Sequence, residues 1–196
     1  MNFSVVGQQI INVGGDGFKC DSPAPLTNFD GAKYMGTWYE QAHRAHQPFQ
    51  LDSWSCTEAQ YSDLSSDGSF VVSNTSETKS QVGRRFGVEG TGLCPDATGE
   101  CYVSFFGQAY PTKPNYNVVS TDYTTYSIVY DCEEMTRYAS LWYLARTPVA
   151  SEAQLAKMNA IAKAALPNFD FSIMVYDDQG TQCSYAANPA DLNMWL

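Results

Sequence analysis

The residues best equipped for chemistry in this chain are six cysteines and two histidines. Cys20, Cys56, Cys94, Cys101, Cys132 and Cys183 are widely spaced, and no two form a C-x-x-C pair. Zinc ribbons and thioredoxin-type redox sites need that close spacing to bring two thiolates together, so neither is supported. An even number of cysteines with so few histidines fits three disulfides and an oxidising compartment. On local grounds one pairing stands out. Cys94-Pro-Asp-Ala-Thr-Gly-Glu-Cys101 encloses a short, turn-rich segment whose ends can meet across a hairpin. His43 and His46 fall on what reads as strand and loop with no third ligand nearby, so no metal is expected. A hydrogen bond from His43 or Arg44 to a ligand carboxylate is the more natural use of this stretch.

These residues sit in a chain of 196, which is one domain's worth, and 44% hydrophobic content with 16% charge supports a buried core. Eleven basic against 21 acidic residues leave a net charge of −10. An acidic chain repels phosphate backbones and anionic headgroups, so neither nucleic acid nor a membrane surface is an expected partner. No apolar run approaches the roughly 18–20 residues of a membrane-spanning helix. Sequons at Asn2-Phe-Ser4 and Asn74-Thr-Ser76 are compatible with secretion, and Asn74 is the candidate glycan site. No basic residue precedes Lys19 and no continuous apolar run follows Met1, so the start does not read as a signal peptide. The expectation is a secreted protein in its mature form.

The Gly-, Pro- and Asn-rich stretch 1–33 predicts an extended N-terminal arm. Its Gly14-Gly15-Asp16-Gly17 lacks the strand–helix context of a phosphate-cradling loop. Eight short runs rich in Val, Tyr, Phe, Thr and Trp follow: Trp38–Arg44, Cys56–Ser62, Phe70–Thr75, Arg84–Thr91, Tyr102–Gln108, Tyr116–Ser120, Tyr126–Cys132 and Tyr138–Ala145. Turn signals separate them, among them Asp67-Gly68 and Pro111-Thr-Lys-Pro114. Such spacing predicts a sandwich or an up-and-down barrel. Then the period changes. Ser151-Glu-Ala-Gln154 has the form of a capping box, and Leu155, Met158, Ile161, Ala162 and Leu166 recur at helical spacing until Pro167. A helix over about 151–166 therefore lays an apolar stripe on the strands. Phe171–Tyr176 reads as one more strand, and 181–196 as an irregular tail.

Gly36-Thr37-Trp38-Tyr39-Glu40 opens the first strand, Thr121-Asp122-Tyr123 precedes the seventh, and Arg146 ends the eighth. These three motifs, in this order, are similar to the signature regions of the lipocalin family. The resemblance spans roughly residues 20–185. Within the family the layout resembles the apolipoprotein D and insect bilin-binding type, through Cys20-Asp-Ser-Pro, the run Lys33 to Glu40, and a cysteine soon after the first strand. It implies an all-β, eight-stranded antiparallel up-and-down barrel over 34–180, with the one helix packed on its side. It also implies that Arg146 stacks on Trp38 at the closed end, that Gly36 permits the tight entry into strand one, and that Asp122 accepts hydrogen bonds in the closing loop. By the same resemblance Cys20 pairs with Cys132 and Cys56 with Cys183, which leaves Cys94 for Cys101.

An eight-stranded barrel is wide enough for one small ligand. Matched to the family, its inner face takes Ala59 and Tyr61 from strand two, and Tyr116 and Val118 from strand six. Strand seven adds Val129 between Ser127 and Asp131, and strand eight adds Ser140, Trp142 and Leu144, with Tyr143 outward. Strand five contributes Tyr102, Ser104 and Phe106, unless a bulge reverses its faces. Phe49, Leu51 and Trp54, on the first loop, form a lid or a sticky rim. The function implied is a carrier of one small hydrophobic molecule: a bilin, carotenoid, retinoid, steroid or fatty acid, with the aromatic content leaning towards a conjugated pigment. Two alternatives stand beside it. One is an interaction or inhibitor module with a filled barrel. The other is an isomerase, which in this family uses a free thiol inside the barrel. With all six cysteines bridged, no G-x-S-x-G and no carboxylate partner for Asp131, no enzyme activity is expected. A homo-oligomer is left open.

Overall fold

Gly36 adopts φ +93°, a backbone conformation that side-chain-bearing residues rarely take, and this turns the chain sharply out of a one-turn helix into the first strand. The computed structural model describes residues 18–185 and 193–194. The Asn2 sequon, the glycine run at 14–17 and most of the predicted tail beyond 185 lie outside the described residues. The one-turn helix α1 (Gly31–Tyr34), which the sequence pattern did not announce, is capped by Asp30, whose side chain accepts from Lys33 N.

Eight strands follow: β1 (Gly36–Arg44), β2 (Trp54–Ser62), β3 (Ser69–Thr78), β4 (Gln81–Leu93), β5 (Glu100–Phe105), β6 (Tyr116–Thr121), β7 (Tyr126–Glu133) and β8 (Tyr138–Ala145). Each pairs antiparallel with its neighbour in sequence, and β8 returns to β1, so the sheet closes on itself. Closure leaves no free edge in the barrel and gives every strand an inside and an outside.

Helix α2 (Glu152–Ala165) lies against the outer face. Ser151 caps it by accepting from Gln154 N, as half of a capping box should. The other half is not made. The Gln154 side chain instead donates to Thr125 O, tying the helix to the β6–β7 loop. Met158, Ala162 and Leu166 pack with Ala42, Ile128, Leu141 and Tyr143 in an outer core, while Trp38, Tyr61, Val72, Val118, Val129 and Leu144 form the inner one. Beyond the helix, Phe171–Ile173 is a 3-10 helix, capped by Asp170, rather than strand. Of that predicted strand, Met174–Tyr176 forms β9 and pairs along β1, and β10 (Asn193–Met194) pairs parallel with β4.

The closed end is built on a single cation. The Arg146 guanidinium sits 3.6 Å from the centroid of the fully buried Trp38 ring. It also donates to the carbonyls of Lys33, Tyr34, Met35, Thr37 and Tyr123. Asp122 accepts from the amides of Thr124, Thr125 and Tyr126 and from the Thr125 hydroxyl. Partial burial opposes its charge, but these bonds prevail and hold its carboxyl below the ordinary range. The three bridges are Cys20–Cys132, Cys56–Cys183 and Cys94–Cys101. Trp38→Ala empties the base of the barrel and is expected to cost about 3–5 kcal/mol. A thermal or denaturant melt checks this, and an unchanged midpoint would mean Trp38 is no plug.

Candidate functional site

Strand register decides which side chains line the barrel, because residues paired across a sheet share a face. Val129 pairs with Val118 on one side and with Trp142 on the other, and Trp142 pairs with His43. Ser127 and Glu40 both pair with Leu144, Cys101 with Tyr116, and Ala59 with Trp38 and Asn74. All of these face inward. One irregularity matters here. A bulge between Glu40 and Ala42 takes Gln41 out of step, so Trp38, Glu40 and His43 share the inner face while Ala42 meets the helix. The bulged Gln41 is held by bonds to Tyr39 O, Pro148 O and Ala150 N.

The interior has two zones. Near the closed end a chain of hydroxyls runs from Ser127 to Tyr34 (2.8 Å), Tyr116 (2.9 Å) and Tyr61 (2.8 Å). Burial pushes the Tyr34 phenol up to about 12 and raises those of Tyr61 and Tyr116 well above their ordinary value, so all three stay neutral. Beside them the Phe70 and Phe105 rings lie over Gly92 and Gly90 of β4, where a Cβ would meet ring carbons at 2.1 Å and 2.5 Å. Those glycines make room for two interior rings.

At the open end the lining turns polar. His43 Nδ1 is 2.6 Å from Glu40 Oε1, and both side chains are buried. The first loop, residues 45–53, folds into the mouth. Its Gln50 donates from Nε2 to Glu40 Oε1 at 2.6 Å and accepts from Trp142 Nε1 at 3.3 Å. Gln47 accepts from the hydroxyls of Ser140 and Tyr138. Burial alone would lower the His43 pKa, but the bond to Glu40 and the charges of Glu40, Asp177 and Asp52 raise it. Burial lifts Asp131 to about 6, with Glu133 adding to it, and raises Asp177, with Glu40 adding to it.

The inner face thus gathers Tyr61, Tyr116, Val129, Trp142, Leu144 and His43. It excludes others. Strand five is reversed: Cys101, Val103 and Phe105 pack inward, whereas Tyr102 stacks edge-on with Tyr110 and Phe106 is 73% exposed. Phe106 and Gly107 both take positive φ, so β5 stops at Phe105. Asn74, proposed above for a glycan, faces inward beside Ala59, with Oδ1 buried and unpartnered among the described residues. A glycan on it would have to occupy the barrel, so that assignment is withdrawn. Phe49 and Leu51 are more than half exposed, with Phe49 tilted over Trp142 at 6.2 Å, and Trp54 packs edge-on against Phe86. What enters the mouth from that loop is Gln47 and Gln50, which the sequence reading missed. It also missed Tyr34 and Glu40, although strand alternation from Trp38 points to Glu40. Among the described residues, no cluster of three or more His, Cys, Asp or Glu is placed to hold a metal ion.

A closed up-and-down barrel, plugged at one end by a Trp–Arg stack and flanked by one helix, defines a known structural class. A family model described as a lipocalin-like domain matches residues 29–179, and the chain belongs to the lipocalin family. It is 29% identical over 164 residues to apolipoprotein D of Cavia porcellus, across 82% of each chain. It is 31% identical over 177 residues to the outer membrane lipoprotein Blc of Escherichia coli (strain K12), across 82% of this chain and 88% of that one. Among solved structures, insecticyanin from the tobacco hornworm Manduca sexta matches 86% of this chain and 90% of its own, with a TM-score of 0.69 at 23% identity.

The buried mouth makes stability depend on pH. A group whose pKa is raised by folding stabilises fully below its unfolded value and loses that contribution as pH rises through the folded value. Asp131 gives a loss between its ordinary 3.8 and about 6, and His43 a loss above its ordinary 6.5. Melting temperature is therefore expected to fall as pH rises over this range, and His43→Gln should flatten the part above 6.5. A profile that rises there would mean His43 is not held by Glu40.

Proposed function

We propose that this chain is a secreted carrier holding one small, largely apolar molecule inside the barrel. A conjugated pigment such as a bilin or carotenoid is preferred over a retinoid, steroid or fatty acid. The observation that carries the reading is the inner face itself. Tyr61, Tyr116, Val129, Trp142 and Leu144 share it with a small set of polar groups at the mouth. Binding sites for small molecules combine just such an apolar lining with a few placed polar groups. Three disulfides in so small a chain support an oxidising, extracellular setting.

One observation favours a second reading, an interaction module with a filled barrel. Phe29, Tyr34, Trp38, Tyr61 and Phe70 pack the closed half with the chain's own rings. Phe49 and Leu51 stand exposed at the rim. Absorbance and native mass spectrometry of protein from its source separate the two. A visible band or an added ligand mass supports the carrier, and bare protein with a partner chain supports the module. Trp142→Ala is expected to weaken binding of a hydrophobic ligand more than tenfold, on the order of one lost aromatic contact. Fluorescence titration measures it, and equal binding by a folded variant would remove strand eight from the site.

A further inference from the structure

Gln50 shows which ligand edge the mouth can read. Its carboxamide lies between an acceptor, Glu40 Oε1 at 2.6 Å, and a donor, Trp142 Nε1 at 3.3 Å. A carboxylate only accepts and an indole N–H only donates, so the two partners together fix which end of the amide faces which. Glu40 and Trp142 belong to the wall, held in register by Leu144, His43 and Val129. Gln50 comes from the loop, which enters through a left-handed turn at His46 (φ 58°) and carries the exposed Phe49 and Leu51. The wall thus supplies an acceptor–donor pair from two paired strands, and the first loop supplies the amide that satisfies it.

We propose that the barrel mouth is an amide-reading subsite. Its ligand is a planar, largely apolar molecule with a lactam or comparable amide edge, whose N–H replaces Gln50 Nε2 on Glu40 and whose C=O replaces Gln50 Oε1 on Trp142. This rests on the carrier reading above and narrows its ligand class. A guest without an N–H that displaced Gln50 would leave a buried carboxylate short of a donor and an indole N–H bare, and both are costly in a low-dielectric interior. His43 cannot make good the loss, because its Nδ1 is already engaged with Glu40. A second inward acceptor, Asn74 Oδ1, is buried with no partner among the described residues. It would take a further N–H, which an amide-bearing heterocycle has and a carotenoid, retinoid or fatty acid lacks.

The test compares two probes on the full, oxidised chain. Biliverdin carries lactam edges, and retinol has one hydroxyl and no amide. Gln50→Ala removes the internal competitor and is expected to tighten biliverdin about tenfold, with a smaller change for retinol. Trp142→Phe keeps the ring but deletes the donor. It is expected to lower the biliverdin-to-retinol affinity ratio about tenfold, a change that loss of ring packing alone would not produce. Circular dichroism of each variant checks folding, and either variant alone can overturn the proposal. If both probes bind and shift in parallel in either folded variant, amide reading is wrong, while the carrier stands. If neither probe binds to the parent chain or to Gln50→Ala, the carrier reading and this inference fall together.

Discussion

The barrel depends first on how its base is sealed. A closed sheet removes strand edges but leaves two open ends, and at one of them backbone carbonyls from different segments converge. Arg146 answers both needs. Its planar face covers the indole of Trp38, and its fork of N–H groups collects carbonyls from α1, β1 and the β6–β7 loop. Lysine could not substitute, since a compact ammonium has neither the flat face nor the spread of donors. With the base fixed, Tyr34 is held against Trp38 and aims its hydroxyl at Tyr116 and Ser127, so the plug also orders the tyrosines above it.

The disulfides extend that order outward. Cys20–Cys132 brings the N-terminal arm onto β7, where Asp21 accepts from Asn168 just beyond α2. Cys56–Cys183 lays the segment 177–185 over the outer face. There Arg85 pairs with Glu58 at 2.9 Å and reaches Glu77 at 3.6 Å, under the ring of Tyr185. Buried ion groups are tolerated only when their remaining bonds are made. The tail makes them: Ser184 donates its amide to Glu77 and accepts from Arg85. That bridge therefore protects a charged cluster from water as well as shortening the unfolded chain.

Legibility in the sequence followed how local the cause was. The roles of Trp38, Asp122 and Arg146 and the pairings Cys20–Cys132 and Cys56–Cys183 were readable through the resemblance to the lipocalin signatures, and Cys94–Cys101 through its short turn-rich loop. The strands and α2 were readable from period and caps. Strand-five facing was not, because alternation alone fits either face, and the register that pairs Cys101 with Tyr116 and Phe105 with Gly90 decides it. The Asn74 sequon was overruled by register, which no triplet can report. His43 joins Glu40 on the inner face only through the bulge at Gln41, itself anchored to a loop more than a hundred residues away.

The polar mouth is the feature least expected of a container for apolar molecules, and the loop explains how the chain tolerates it. Without Gln50, Glu40 would keep its bond to His43 alone and the Trp142 N–H would be bare. Gln50 keeps them bonded as the loop folds inward, Gln47 beside it accepts from Ser140 and Tyr138, and Phe49 and Leu51 are left in water. That exchange is unusual for folding alone, since it buries amides and exposes large apolar groups. It becomes intelligible if the loop holds the place of something else. A guest that satisfied Glu40 and Trp142 would free the glutamines to return to solvent and give Phe49, already beside Trp142, an apolar surface to cover. Satisfied polar groups and buried apolar groups would then coincide only in the occupied barrel.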